Sequence, residues 1–395
     1  MTNTSKIQTS ILCIIILIFI SPLLTIMLKG LFPKIFEITI VKKITDPQMA
    51  GVTFEERNSD FTPGAWLNRD FQNKFEKWFD YNNGARRIFI KINNQINYSL
   101  FNKTYIPSIV IGKENVLYEK NYIDEYYNTT SPRPKEEIEQ LAKKIAKVQT
   151  LLKQRGIQFI VLITPSKAYT YPQYIPDYFA SPPKLIHDYE TGISLFDKLG
   201  INYVDGQRIT LEKQNGVKYP LFCKGGTHWN YLGAYFTVEQ VIKKIEVLSN
   251  RQIPNIVLQN VEIDNNPTGS DRDLASLLNT LFVPDKYVTP HPVMKPETHS
   301  SDNRGNGVVV GGSFNWIPIE ILFNNQVFKS IDFYYYYSSL FTYPKNELRE
   351  KSFNLNKIDW DTDMLKKDTI ILEINESTFG SEHVRNFLDD ALKHI

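Results

Sequence analysis

Cysteine is almost missing from this chain: there are two among 395 residues, Cys13 and Cys223. Two thiols cannot build a disulfide framework, and Cys13 lies in an apolar run, which argues against a bridge between them. An excess of one charge is missing too. The 45 Lys and Arg stand against 43 Asp and Glu, for a formal net charge of +2 with no basic block. Such a chain lacks the footprint that neutralises phosphates, so nucleic acid is excluded as the principal partner. Histidine is scarce, with 6 in all, and no two have the spacing of a zinc-binding helix or ribbon, so no metal is expected. There is no internal repeat and no low-complexity tract beyond the tyrosines at 334–337. What is plentiful excludes disorder: 42% hydrophobic and 13% aromatic residues are enough to bury a large core.

One long apolar run is present. Between Ile11 and Leu28 the only polar residues are Ser21 and Thr25, and such a stretch covers about 27 Å as a helix, close to the hydrocarbon thickness of a bilayer. It ends in Met27-Leu28-Lys29 without a small-residue cleavage site, so residues 1–35 are expected to form an uncleaved transmembrane anchor, kinked at most at Pro22. Charge does not orient it. Lys6 stands alone before the span, whereas Lys29, Lys34, Lys42 and Lys43 follow it, and long domains are exported largely regardless of this bias.

Beyond the anchor, Phe71, Phe75, Trp78 and Phe79 recur at helical spacing within 67–81, and a second amphipathic stretch covers 88–100. Ile109–Ile111 and Val116–Tyr118 flank Gly112-Lys113-Glu114-Asn115 and predict a tight hairpin. Residues 36–130 are thus read as a helical leading segment with a hairpin, and 131–395 as the main domain. There a helix carrying Ile138, Leu141, Ile145, Val148 and Leu152 stops at Gly156. Apolar runs at 157–164, 201–204, 308–310, 331–335 and 369–374 then alternate with helical patterns at 185–199, 231–248, 316–323 and 381–393. Buried strands alternating with helices predict a mostly parallel sheet covered on both faces, a three-layer α/β domain.

Two places can carry chemistry. In Val308-Val309-Val310-Gly311-Gly312-Ser313-Phe314 a strand runs into two glycines and a serine just before a helix, which sets the Ser313 hydroxyl at the carboxyl edge of the sheet. Ser313 can there be a nucleophile beside backbone N–H groups, Gly312 among them, or simply a helix N-cap. In Gly225-Gly226-Thr227-His228-Trp229-Asn230 a histidine sits in a glycine-led loop before a helix, able to act as a general base or to pack beside Trp229. Gly226 and Thr227 flank it near the same edge. Cys223 raises a Cys/His alternative, but a thiol without strong local activation is inert. Tyr169, Tyr171, Tyr174 and Tyr178 follow a strand, where rings can stack on sugar faces. Arg272 and Asp273 precede Leu274 and can line the cleft or form a surface ion pair.

The stretch Tyr219–Tyr235, with its Thr-His-Trp-Asn-Tyr-Leu-Gly-Ala-Tyr core, resembles the signature of the AlgJ/AlgX-type alginate O-acetyltransferases, a branch of the SGNH hydrolase-like superfamily. Ile111-Gly112-Lys113-Glu114-Asn115-Val116-Leu117-Tyr118 resembles the family's hairpin. Arg155-Gly156-Ile157 through Thr164-Pro165-Ser166-Lys167, with Tyr171-Pro172, Tyr174 and Pro176, resembles its first strand and loop, and Gly311-Gly312-Ser313-Phe314 its serine block.

The resemblance covers roughly 65–395 and implies a flavodoxin-like, SGNH hydrolase-like fold and a serine ester of acetate on Ser313, with His228 as base. It implies a polysaccharide acceptor, no cofactor, and a multi-spanning membrane O-acyltransferase as the partner that supplies acetyl. The implied location is the inner (cytoplasmic) membrane, single-pass, with the catalytic domain on the periplasmic or extracellular side. Tyr171, Trp229 and Arg272 are the expected substrate-binding residues. In one respect the sequence departs: the family's loop reads Asp-Xaa-His, whereas this chain has Gly226-Thr227-His228. Without that carboxylate the imidazole lacks its orienting acid, and Asp205 and Glu373 are the replacements topology suggests. Three readings stand: an acetyltransferase, a catalytically degenerate glycan-binding or scaffold subunit, and an acetyl esterase.

Overall fold

Apolar side chains at helical spacing give the amino-terminal third its helices. The computed structural model describes residues 3–37, 49–51, 61–82, 84–127, 133–179, 187–282, 286–297, 303–343, 347–350 and 358–395, and the chain divides into two units, 1–107 with 275–284, and 108–274 with 285–395. In the first unit a helix spans Asn3–Leu31. Its two halves, Lys6–Ser21 and Leu23–Leu31, are bent by 56°. Pro22 lies at that break, where the missing backbone N–H leaves a helical bond unmade. No single helix among the described residues is long and apolar enough to cross a membrane, and the bent pair meets that test only together. The kink allowed at Pro22 in the span expected over Ile11–Leu28 is thus a full break. Helices Asp70–Asn82 and Gly84–Phe101 follow, and Asn94 and Gln95 of the second bind the backbone of Leu278 and Phe282.

The second unit holds the strands β1 (Ile109–Ile111), β2 (Leu117–Glu119), β3 (Gln158–Thr164), β4 (Tyr203–Asp205), β5 (Asn255–Asp264), β6 (Thr289–Glu297), β7 (Gly305–Gly311), β8 (Phe328–Tyr335), β9 (Ser339–Tyr343), β10 (Glu347–Glu350) and β11 (Thr369–Asn375). Seven of them form one sheet in the order β10-β9-β8-β7-β11-β3-β4. The strands from β8 to β4 are parallel, and β9 and β10 complete an antiparallel edge. In β3 the side chains of Phe159, Val161 and Ile163 join one core, and those of Ile160 and Leu162 join the other. Each such burial contributes about 2 kcal/mol, which is why the central strands read as unbroken apolar runs. One core is closed by helices Lys135–Gln154, Asp188–Leu199 and Glu382–His394, through Ile145, Phe196 and Phe387. The other is closed by Tyr231–Ser249 and Trp316–Asn324, through Val238 and Ile319. The result is the three-layer, mixed α/β arrangement.

β1 and β2 pair antiparallel, and β5 and β6 form a separate two-stranded ribbon. Gly112 is required where it stands, because a Cβ there would lie 2.4 Å from the Tyr174 carbonyl oxygen.

Just past β11, Glu376 is buried, and that burial pushes its carboxyl up to about 8. Between the unfolded value near 4.5 and about 8 the folded protein therefore holds a proton that the unfolded chain gives up. Stability falls as pH rises through that window. Glu376→Gln removes the ionisable group, so its melting temperature should match the parent at about pH 4 and exceed it by several degrees at about pH 8.5. Equal shifts at both pH values would refute this.

Candidate active site

The His228 loop is assembled from residues that are mostly structural. Trp229 is fully exposed to the core and closed to solvent, and its indole N–H donates to the Phe314 carbonyl at 3.0 Å. Asn230 caps helix Tyr231–Ser249, accepting from the Gly233 N–H at 2.9 Å, while its amide donates to the Pro220 carbonyl at 2.7 Å. Gly233 admits the Leu221 carbonyl, which would lie 2.7 Å from a Cβ. With Trp229 and Asn230 pinned, the loop is held in place, and the His228 ring meets that of Phe314 at 4.6 Å.

Ser313 follows β7 after Gly312 and opens the turn Ser313–Asn315 that leads into helix Trp316–Asn324. Its Oγ lies 2.8 Å from His228 Nε2. On the other side of the ring, His228 Nδ1 lies 2.6 Å from Asp273 Oδ2. A carboxylate accepts only, so Nδ1 carries the proton and Nε2 is left to accept from the serine hydroxyl. The other oxygen of Asp273 accepts the backbone N–H groups of Thr227 at 2.8 Å and Leu274 at 2.7 Å. The acid is thus held by the loop it serves.

Asp273 supplies the carboxylate missing from the His228 loop. Neither acid suggested by topology does so. Asp205 caps helix Gly206–Gln214 through the Arg208 N–H at 2.9 Å and accepts the Tyr189 hydroxyl. Glu373 accepts from the Thr164 hydroxyl and, at 2.8 Å, from the Gly312 N–H. That bond also corrects the oxyanion role expected of Gly312, whose only backbone donor is already committed. Gly312 instead supplies closeness, since a Cβ there would lie 2.9 Å from the Tyr336 ring.

Gly226 and Thr227 serve the acid. A Cβ on Gly226 would fall 2.2 Å from the Ser270 carbonyl oxygen, inside the segment that presents Asp273. Below, the buried Lys167 ammonium donates to the carbonyls of Leu117 at 3.0 Å, Lys224 at 3.1 Å, and Gly226. Burial pulls its pKa down to about 7.

The substrate-binding expectations need correction. Trp229 has no exposed surface. The Tyr171 hydroxyl accepts from the Leu221 N–H at 3.0 Å, and its ring packs on Phe222. Arg272 ends the turn Gly269–Arg272 and is not among the residues lining the cleft. Cys223 is buried, and burial raises its thiol well above the usual range, which closes the Cys/His alternative. The cleft at Ser313 has a volume of about 720 Å³ and is lined instead by Glu119, Tyr122, Tyr336, Glu382 and His383, among others. Sequence reasoning missed these because they come from segments brought together only by folding.

A parallel sheet with a serine at its carboxyl edge, joined to a histidine and an aspartate, defines the SGNH hydrolase-like class. A family model for that domain, described as the SGNH hydrolase-like domain of the acetyltransferase AlgX, matches residues 109–307, and the chain belongs to this family. It is 26% identical over 193 residues to a probable alginate O-acetylase AlgJ of Pseudomonas aeruginosa, covering 48% of this chain and 46% of that protein. With the AlgJ of Pseudomonas fluorescens it shares 24% over 255 residues, 62% of this chain and 60% of the relative. The chain thus spans about half the length of the curated relatives it matches. The solved O-acetyltransferase domain of Pseudomonas putida AlgJ superposes with a TM-score of 0.48 at 17% identity, covering 73% of this chain and all of that one (100%).

Proposed function

We propose that the protein is a membrane-anchored polysaccharide O-acetyltransferase working through a serine ester. The observation that carries this reading is the unbroken line Ser313–His228–Asp273, at 2.8 and 2.6 Å. His228 Nε2 takes the Ser313 proton as Oγ attacks the acetyl carbonyl, and Asp273 stabilises the imidazolium. His228 returns that proton to the departing donor group, leaving acetyl on Ser313. A sugar hydroxyl then attacks the ester, gives its proton to His228, and Ser313 leaves with it. With the Gly312 N–H engaged by Glu373, the first N–H groups of the following turn, at Ser313 and Phe314, are the donors for the oxyanion.

The bent amino-terminal helix, with Leu17 and Phe19 more than half exposed, supports anchoring in the inner membrane with the active domain outside. A multi-spanning O-acyltransferase would supply acetyl there. Residues 131–395 carry the chemistry, and the hairpin of 36–130 adds Glu119 to the cleft. Asp273, at 2.6 Å from His228 Nδ1, favours this reading over a degenerate scaffold.

The test is intact-mass and peptide mapping of the full chain in detergent after exposure to an activated acetyl ester. Acetyl should appear on Ser313, vanish in Ser313→Ala, and be discharged faster by added oligosaccharide than by water. Discharge by water at the same rate would make the protein an esterase.

A further inference from the structure

The turn between β8 and β9 presents an aromatic ring at a cost in backbone strain. Tyr336 and Tyr337 both have positive φ, 48° and 53°, a region that bulky side chains rarely adopt. The strain is held on both sides: the Tyr336 N–H donates to the Gly311 carbonyl at 2.8 Å, and the buried Tyr337 hydroxyl donates to Asp390 at 2.8 Å. What this secures is the Tyr336 ring, 46% exposed, in the wall of the cleft beside Gly312 and Ser313. An exposed ring fixed next to a nucleophile is a platform for the apolar face of a sugar.

Acidic side chains predominate around that platform. Glu119, Glu373 and Glu382 line the cleft together with His383, which faces Glu373, and no Lys or Arg does so among the described residues. Glu373 is spent on Thr164 and Gly312, and burial raises the Glu119 carboxyl beside Thr227, which leaves the exposed Glu382 as the carboxylate open to a ligand. Ionised carboxylates accept hydrogen bonds from sugar hydroxyls and repel other carboxylates. The relatives are named for alginate, a chain of uronic acids with a carboxylate on each sugar. That polymer is mismatched to this lining.

We infer that the acceptor of this protein is a glycan without uronic-acid carboxylates, stacked on Tyr336 with a hydroxyl donated to Glu382. This rests on the proposed acetyl transfer for its biological meaning, but the preference of the cleft can be read without any reaction. Binding of an uncharged hexose oligomer and of a uronic-acid oligomer of equal length should be compared at low salt, on the full-length Ser313→Ala chain in detergent. The uncharged oligomer should bind about tenfold more tightly, a gap that like-charge repulsion can supply. Glu382→Lys should narrow the gap by strengthening uronate binding alone, Glu382→Gln should narrow it less, and Tyr336→Ala should weaken both ligands. Equal or tighter uronate binding, a ratio indifferent to position 382, or binding of neither oligomer overturns the inference. In parallel, absence of acetyl on Ser313 in the parent protein would count against the transferase reading and leave the measured preference standing.

Discussion

Asp273→Asn should lower the rate of Ser313 acetylation by about 10⁴, the loss typical when the acid of such a triad is made an amide. Asn keeps the size of the side chain and can still accept the Thr227 and Leu274 N–H groups through one oxygen. Its amide, however, presents a donor to His228 Nδ1, and the ring must turn over its tautomer. Nε2 then bears the proton and cannot accept from Ser313. The melting temperature should move little, because no packing is lost. Asp205→Ala is the contrasting variant: it removes the cap of helix Gly206–Gln214 and lowers stability by about 1 kcal/mol while leaving the chemistry within a few-fold of the parent. If Asp273→Asn retained a tenth of the activity, Asp273 would not be the acid.

Gly226→Asp should also inactivate the protein, although it restores the family's Asp-Xaa-His. From sequence alone the substitution looks like a repair. In the folded chain the new Cβ would meet the Ser270 carbonyl oxygen at 2.2 Å, so the segment carrying Asp273 must move by about an ångström. A displacement of that size at a reacting centre costs on the order of 10² in rate. Gly226→Ala discriminates the causes, since it adds the Cβ without the carboxylate and should lose as much. Acetylation kinetics of the two variants beside the parent decide it, and a faster Gly226→Asp would mean that the loop acid is simply missing.

With glycine at 226, the acid beside His228 comes from Asp273, and that placement bears on what the sequence could and could not reveal. Ser313 and His228 are legible because each sits in a strand-to-helix or loop-to-helix junction whose local chemistry fixes its exposure. The reach of Asp273 across 45 positions of sequence separation is a tertiary fact, and nothing in Asp-Arg-Asp-Leu marks which carboxylate meets the histidine. The same division holds for the fold. β3, β7 and β11 are buried on both faces and read plainly as apolar runs. β6 contains Pro290, Pro292 and Pro296, which argue against a strand. It is tolerated because β6 belongs to a two-stranded ribbon with one open edge, where missing N–H groups break no ladder. β5, with most of its side chains at least partly exposed, carries too weak an alternation to be read.

The clamp made by Lys167 has a consequence for how the protein behaves around reactive acetyl donors. Its amine ties the hairpin at Leu117 to the loop at Lys224 and Gly226, and it is sealed from solvent. Surface lysines will be acetylated by stray donor, but this one can react only when hairpin and loop separate. Its modification therefore works as a clock for local opening, recording how often the histidine loop comes undone while the rest of the sheet stays folded.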